Sequence, residues 1–371
     1  MVYSKRSWNL ASKFTSYFFV YNIFMYKRTQ TKSIKIKDVV IGHNNQVIIQ
    51  SMTNTKTSNI NATIKQINKL VSLGCKLVRV AIFDTNDLKG LKKIVNSVTC
   101  PIIADIHYNY QFAINAIING AAAIRINPGN LQDLNQFLEI IKVAKEYNTP
   151  IRIGLNTGSL PKDVKTNIQI INLMKKYVAF CEDNNFNLLV LSIKSTDVQK
   201  TIELNELLAS TFSYPIHLGV TEAADLTISS IRSTIALSKL LQEGIGSTIR
   251  ISISGEPYNE PIVAKILLDE IGIKQDITKI IACPTCGRCQ YNFTQLYSKI
   301  KEFIDLNPNG KLTVAIMGCT VNGINEAKKA DIGIFGVDKN HGILYVKNKM
   351  IGKFSINELI DKFKEEYLKL M

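Results

Sequence analysis

Acidic residues are scarce in this sequence. Asp and Glu number 30 against 45 Lys and Arg, which leaves a formal charge of +15 and makes an anionic partner the first expectation. The basic residues form no block and do not interleave with aromatics, and a composition rich in lysine, asparagine and isoleucine also follows from nucleotide bias. Nucleic acid is therefore not the expected partner; an acidic small molecule is. A membrane-spanning run is missing as well: YFFVYNIFMY near the start is short and interrupted, no small-residue cleavage site follows it, and no other segment approaches the length a bilayer requires. Cysteines are few. Seven of them, scattered apart from one cluster, exclude the disulfide framework of a small secreted domain and point to reduced thiols in a cytoplasmic protein.

Residues 1–32 carry six basic side chains and no acidic one. They read as a basic, poorly ordered extension outside the fold, with a plastid-type leader as the alternative. From residue 47 onward short β-branched runs alternate with amphipathic stretches. The runs are VIIQSMT, CKLVRVAI, PIIADIH, AAIRINP, PIRIGLNT, NLLVLSIKS, IHLGVTEA and TIRISIS, and segments such as DLNQFLEIIKVAKEYN between them have helical period. Eight strand-helix units in about 225 residues is the size of a closed (β/α)8 barrel of the TIM type, placed here at 33–273; an open doubly wound sheet is the alternative. Residues 274–371 have further strands and two amphipathic helices, NFTQLYSKIKEFIDL and INELIDKFKEEYLKL, and read as a smaller α+β domain.

The strand ends carry the chemistry. Parallel strands covered by helices should read as continuous apolar runs, yet polar groups stand at or near their C-terminal ends: Ser51, Thr53 and Asn54; Arg79; Asp105 and His107; Arg125 and Asn127; Arg152 and Asn156; Ser192 and Lys194; Thr221 and Glu222; Arg250 and Ser252. In a barrel that end is the catalytic face. A lone strand arginine more often pairs with a neighbouring carboxylate. Arg79, Arg125, Arg152, Lys194 and Arg250 crowded into one mouth would repel unless an anion filled it, and guanidinium forks suit phosphate, so the expected substrate carries one or more phosphates.

The second cluster of interest is ACPTCGRCQYN, which sets Cys283, Cys286 and Cys289 at intervals of three, with Cys319 following a later strand in MGCTVNG. A structural zinc site usually adds histidines or a second cysteine pair, and His341 lies far along the chain; a dithiol redox pair has no need of Cys319. Soft thiolates beside glycines favour an iron-sulfur cluster over zinc or plain buried thiols, and the spacing leaves all three open.

SMTNTKT, ADIHYN, IRINPGN, IRIGLNTGSL, HLGVTEA, GIGSTIRIS, ACPTCGR and MGCTVNGINEAKKADIG, in that order, resemble the 4-hydroxy-3-methylbut-2-en-1-yl diphosphate synthases of the non-mevalonate isoprenoid pathway, over about residues 33 to 371 and in their two-domain form. The resemblance implies reductive opening of the cyclic diphosphate 2-C-methyl-D-erythritol 2,4-cyclodiphosphate and removal of a hydroxyl, by two electrons passing through a 4Fe-4S cluster. It implies Cys283, Cys286 and Cys319 as cluster ligands and Glu326 as the fourth, and leaves Cys289 without a counterpart. It further implies flavodoxin or ferredoxin as electron donor and a homodimer in which each cluster domain closes the partner's barrel. The diphosphate is the anion that Arg79, Arg125, Arg152, Lys194 and Arg250 would hold, with Thr53, Asn54, Asn127, Asn156 and Ser252 beside them; Glu326, Glu222, Asp105 and His107 are the expected catalytic groups.

Two departures from the family pattern stand out. Ile324 and Asn325 replace its common Pro-Gly ahead of the glutamate, so a different turn is expected before Glu326, and Ser247 stands where an acidic residue is usual. Two other readings compete. A pterin-binding methyl-transfer barrel shares the fold and the phosphate affinity but gives no reason for the two cysteine motifs, and a zinc-stapled nucleic-acid-binding module leaves the polar barrel mouth unexplained.

Overall fold

The computed structural model describes residues 30–371 except Gln132, Glu222 and Ala223. The basic extension thus lies almost wholly outside the described residues. The chain divides into two compact units after Leu267.

The first unit opens with a hairpin, β1 (Ile34–Ile36) and β2 (Val39–Ile41), followed by eight parallel strands: β3 (Ile48–Met52), β4 (Leu77–Ala81), β5 (Ile102–Ile106), β6 (Ala123–Ile126), β7 (Ile151–Asn156), β8 (Leu189–Lys194), β9 (His217–Leu218) and β10 (Thr248–Ile249). Helices α1 (Ile60–Ser72), α2 (Thr85–Ser97), α3 (Tyr110–Ile118), α4 (Leu134–Glu146), α5 (Asn167–Asp183), α6 (Val198–Thr211), α7 (Leu226–Gln242) and α8 (Asn259–Glu270) alternate with them. The strands order as β8-β7-β6-β5-β4-β3-β10-β9, and a parallel bridge between Leu191 and Ile216 closes the ring. A closed barrel replaces the open sheet as the reading of this rhythm.

Sequence chemistry explains where seven of these eight helices begin. Asn59, Asp84, Asn109, Asp133, Thr166, Asp197 and Asp225 each accept a first-turn N–H on their side chain. Such a cap is worth about 1 kcal/mol and fixes the loop that leaves the preceding strand. The mouth of the barrel is therefore held by strands on one side and capped helix starts on the other.

The hairpin was not legible as part of the barrel. Ile34, Ile36 and Ile41 bury against Leu77, Ile103, Ala123 and Val190 near the N-terminal ends of the strands, so β1 and β2 floor the barrel.

In the second unit β11 (Lys279–Ala282), β12 (Thr313–Met317), β13 (Ile332–Gly336), β14 (His341–Val346) and β15 (Lys349–Ser355) form one sheet in chain order, parallel as far as β13 and antiparallel beyond. Helices α9 (Phe293–Leu306) and α11 (Ile356–Leu370) bury Leu296, Ile300, Leu359 and Phe363 against Val314, Ile332 and Leu344. Helix α10 (Thr320–Lys329) sets Ala327 against Ala315 and Phe335 in a separate small cluster. It runs straight through Ile324 and Asn325, so the turn expected before Glu326 is a helix instead.

Candidate functional site

Cross-strand register brings the polar strand ends to one level. Asp105 faces Arg125, and Arg125 faces Arg152, across β5, β6 and β7. Two arginines directly opposite one another are unfavourable unless their charges are met elsewhere. They are met in part. Arg125 Nη1 reaches Asp105 Oδ1 at 3.2 Å and its Nη2 donates to Gly154 O at 3.0 Å, while Arg152 Nη1 donates to Gln50 Oε1 at 2.8 Å. Glycines make room for these heads: a Cβ on Gly154 would lie 2.9 Å from Arg125 Nε, and one on Gly219 would lie 2.6 Å from Lys194 Nζ.

Asp105 is the hub of one half of the mouth. Its Oδ2 lies 3.7 Å from Arg79 Nε and 3.6 Å from His107 Nε2, and His107 Nε2 is also 3.3 Å from Arg125 Nη1. Burial opposes ionisation of Asp105, but Arg79, His107 and Arg125 together hold its carboxyl well below the usual carboxylate range. Glu260 anchors the other half. Its carboxylate takes Arg250 in a fork, Nε at 3.0 Å and Nη2 at 2.8 Å, and accepts the Ser51 hydroxyl at 2.6 Å. Arg79 and Arg250 also both touch the Met52 thioether, at 3.2 and 3.7 Å.

These groups enclose a cavity of about 140 Å³ lined by Arg79, Asp105, His107, Arg125, Arg152, Asn156, Lys194, His217, Arg250 and Ser252, with Gly154, Ser192 and Thr221. The cations are under electrostatic stress. Burial, then the neighbouring guanidiniums, push Lys194 well below the ordinary ammonium range, and Lys194 has no carboxylate partner among the described residues. Burial and Arg79 act on Arg152 in the same direction, and burial lowers Arg79 to about 10 despite Asp105. An arginine stays protonated regardless, so the stress is a demand for an anion. His217 is held neutral by burial, Arg152 and Lys194; its Nδ1 meets Thr248 Oγ1 at 2.8 Å. Gln50 Nε2, Arg152 Nη2 and His217 Nε2 are buried without a hydrogen-bond partner, which leaves polar valences to be filled by a ligand or water.

The cysteines stand at one edge of the second sheet. Cys283 follows β11 and its N–H continues the ladder to Ile316 O at 2.9 Å; Cys319 follows β12 and begins α10 without capping it. Thr285 adopts a left-handed φ of 63°, costly for a branched residue, and thereby turns its N–H toward Cys283 Sγ at 3.4 Å. A Cβ on Gly318 would sit 3.3 Å from Cys289 Sγ and 3.5 Å from Cys283 Sγ, so the glycine keeps open the space those sulfurs face. Cys286 is exposed, and the Arg288 N–H lowers its thiol. Tyr291 braces the edge through its hydroxyl on Met317 O at 2.8 Å; burial, then Cys289, Cys283 and Cys319, push that hydroxyl up.

Residues 31–265 match the family model described as the GcpE TIM-barrel domain, and residues 279–369 match that of the GcpE protein C-terminal domain. The chain belongs to the GcpE family. A relative from Malacoplasma penetrans, 4-hydroxy-3-methylbut-2-en-1-yl diphosphate synthase (flavodoxin), is 44% identical over 92% of this chain and 96% of that protein. One from Mycoplasmoides gallisepticum with the same description is 42% identical over 93% and 97%. Among solved structures, a dihydropteroate synthase from Stenotrophomonas maltophilia reaches a TM-score of 0.50 at 11% identity, covering 66% of this chain and all of that one. That likeness shows the barrel fold alone. The family is the one that the eight ordered motifs resemble.

Set against the GcpE expectation, the mouth brings together Arg79, Asp105, His107, Arg125, Arg152, Asn156, Lys194, Arg250 and Ser252. Three expected residues do not line the cavity. Asn127 orders its own loop, donating to Ser159 Oγ at 2.9 Å and accepting the Gly129 N–H; Asn54 is tied to Gln66 and to Gly255 O; Thr53 Oγ1 is buried without a partner. Glu222 lies outside the described residues. Ser247 is buried at the foot of β10, away from the mouth. Sequence reasoning missed Gln50, His217 and Glu260. His217 stood at the start of a quoted motif, but Glu260 sits on a helix and gave no strand-end signal.

GcpE-family enzymes carry an iron-sulfur cluster. Among the described residues no three His, Cys, Asp or Glu side chains converge into a metal-holding group. The donor set nevertheless suits a cluster: free thiols at the ends of adjacent parallel strands, an N–H already on one sulfur, and the open cradle at Gly318. Glu326 lies within α10 rather than at a helix start, half-buried and 3.9 Å from Lys329 Nζ.

Proposed function

We propose that this chain converts 2-C-methyl-D-erythritol 2,4-cyclodiphosphate to 4-hydroxy-3-methylbut-2-enyl diphosphate in the non-mevalonate isoprenoid pathway: two electrons and two protons enter, the ring opens and water leaves. The observation that carries this reading is the set of five cations around one cavity, met by too few carboxylates among the described residues. A cyclic diphosphate brings one negative charge on each phosphoryl group, which relieves the stress on Arg152 and Lys194. Asp105 and Glu260 hold Arg79, Arg125 and Arg250 in place before substrate arrives, so little orientation is lost on binding. Asn156 and Ser252 offer neutral hydrogen bonds beside them, Asn54 and Asn127 order the surrounding loops, and Thr53 is buried next to Asn54.

Asp105 is held ionised and serves as an anchor. His107, at the open side of Asp105 and Arg125, is the better candidate to pass a proton, with Glu222 the other. Cys283, Cys286, Cys319 and Glu326 would hold a 4Fe-4S cluster, which supplies electrons one at a time and a Lewis-acidic iron for the departing oxygen. A carboxylate yields that position to a substrate more readily than a thiolate. Flavodoxin, named in the relatives, is the proposed donor, with ferredoxin as the alternative. The free thiols suit a cytoplasmic enzyme.

A homodimer with each cluster domain serving the partner's barrel completes the reading. It is supported by an apolar stripe on α7, where Ile231 and Ile235 are each 55% exposed beside Leu226 and Ile228. Anaerobic purification, iron and sulfide analysis, and turnover of the cyclodiphosphate with a chemical reductant test the proposal. Brown protein that forms the linear diphosphate is expected; colourless, iron-free protein without product would sink it.

A further inference from the structure

The family pattern leaves Cys289 unemployed, yet its sulfur shares the Gly318 cradle with Cys283, each within van der Waals contact of the position a Cβ would take. The local chain aims it there. The Cys289 N–H closes a turn onto Cys286 O at 3.0 Å, and its thiol donates to Tyr291 O at 3.5 Å, with Tyr291 pinned to Met317 O. Cys283, Cys286 and Cys289 thus form a C-x-x-C-x-x-C run with a remote fourth cysteine, Cys319, which is the thiolate arrangement that small ferredoxins use for a single cluster. Glu326, by contrast, offers one carboxylate from α10 that is already drawn toward Lys329.

Resting on the proposed cluster site, we propose that Cys289 is a reserve thiolate ligand that takes the coordination position Glu326 vacates. The exchange is redox-neutral: the Cys289 thiol releases its proton to solvent as its sulfur binds, the Glu326 carboxylate leaves as an anion, and one singly charged ligand replaces another. Soft thiolates bind iron more strongly than carboxylates do. When Glu326 lets go and no substrate is present, Cys289 keeps the exposed iron from being lost.

The test reads iron rather than turnover. Wild type, Cys289→Ser, Glu326→Ala and the double variant are reconstituted anaerobically with ferrous iron and sulfide, then assayed for iron, for sulfide, and for the paramagnetic three-iron form after mild oxidation. About four irons per chain are expected in wild type and both single variants, and about three in the double variant. If Glu326→Ala alone falls to three irons, or the double variant keeps four, the reserve role is wrong. Wild type without iron would overturn the cluster site itself, a different failure. Should the double variant misfold, alkylation by iodoacetamide followed by peptide mapping decides: Cys289 is expected to be protected in reconstituted Glu326→Ala and labelled in wild type, and equal labelling overturns the proposal.

Discussion

At the barrel mouth each arginine already touches a buried partner, Asp105, Gln50, Gly154 O or Glu260, while at the cysteine edge the contacts are an N–H on Cys283, the Arg288 N–H on the exposed Cys286, and a carbonyl at Cys289. The difference follows from what carries the groups. Strand ends are fixed by the ladder on both sides, so their side chains are positioned before any ligand arrives. The cysteines between β11 and α9 ride on a loop with a left-handed threonine, and under the proposed cluster reading they would gain their geometry on metal binding. Substrate affinity and cluster retention should therefore respond to different mutations.

The largest effect is expected from Cys283→Ser. Iron content and turnover should both vanish, while the barrel's urea unfolding stays unchanged; a variant that keeps its iron would break the comparison. Next comes Asp105→Asn, which strands the buried Arg79 and Arg125 charges and should cost about 3–5 kcal/mol in urea unfolding without loss of iron. The depressed carboxyl makes its contribution fully above about pH 4 and loses it only as pH falls through the lower folded value. The deficit of Asp105→Asn should therefore shrink only in strong acid.

Arg152→Ala removes a phosphate contact worth about 1.5–3 kcal/mol, roughly tenfold to a hundredfold in kcat/KM, again at constant iron. The smallest effect is pH-dependent. Lys194 is depressed in the empty site, and a bound anion raises it, so between those two values binding takes up a proton. Affinity should weaken by at most about tenfold per pH unit as pH rises across that window. Lys194→Met should flatten the profile measured by calorimetry in buffers of different ionisation heat.

Much of the first unit was legible because its signals are local. β-branched runs and helical periods marked each strand and helix, and a polar residue at the end of a buried strand announces the mouth. What escaped was defined by distance along the chain. Glu260 lies 209 residues from Ser51, its hydroxyl partner, and no spacing rule links a helix-start carboxylate to a strand-end arginine. The hairpin Ile34–Ile41 was too short to register as part of a barrel. Helix α10 was hidden by Gly323, which reads as a turn; a Cβ there would lie 2.5 Å from Phe335 Cβ, so the glycine serves helix-to-sheet packing instead. Asn127, Asn54 and Thr53 were strand-end polar residues like the others, but the side chains of Asn127 and Asn54 serve the loops that follow the strands, and Thr53 Oγ1 is buried without a partner.

The hairpin floor has a kinetic meaning. Ile36 and Ile41 close the foot of the barrel, leaving beneath Gln50 and Arg152 a space of only about 10 Å³, on the scale of a single water molecule and far too small for a diphosphate to pass. The vessel is a cul-de-sac. Whatever enters at the mouth must leave by the same doorway, so the linear diphosphate has to depart before the next cyclic one can approach. If the proposed cations hold the diphosphate, product and substrate compete for them at that one entrance.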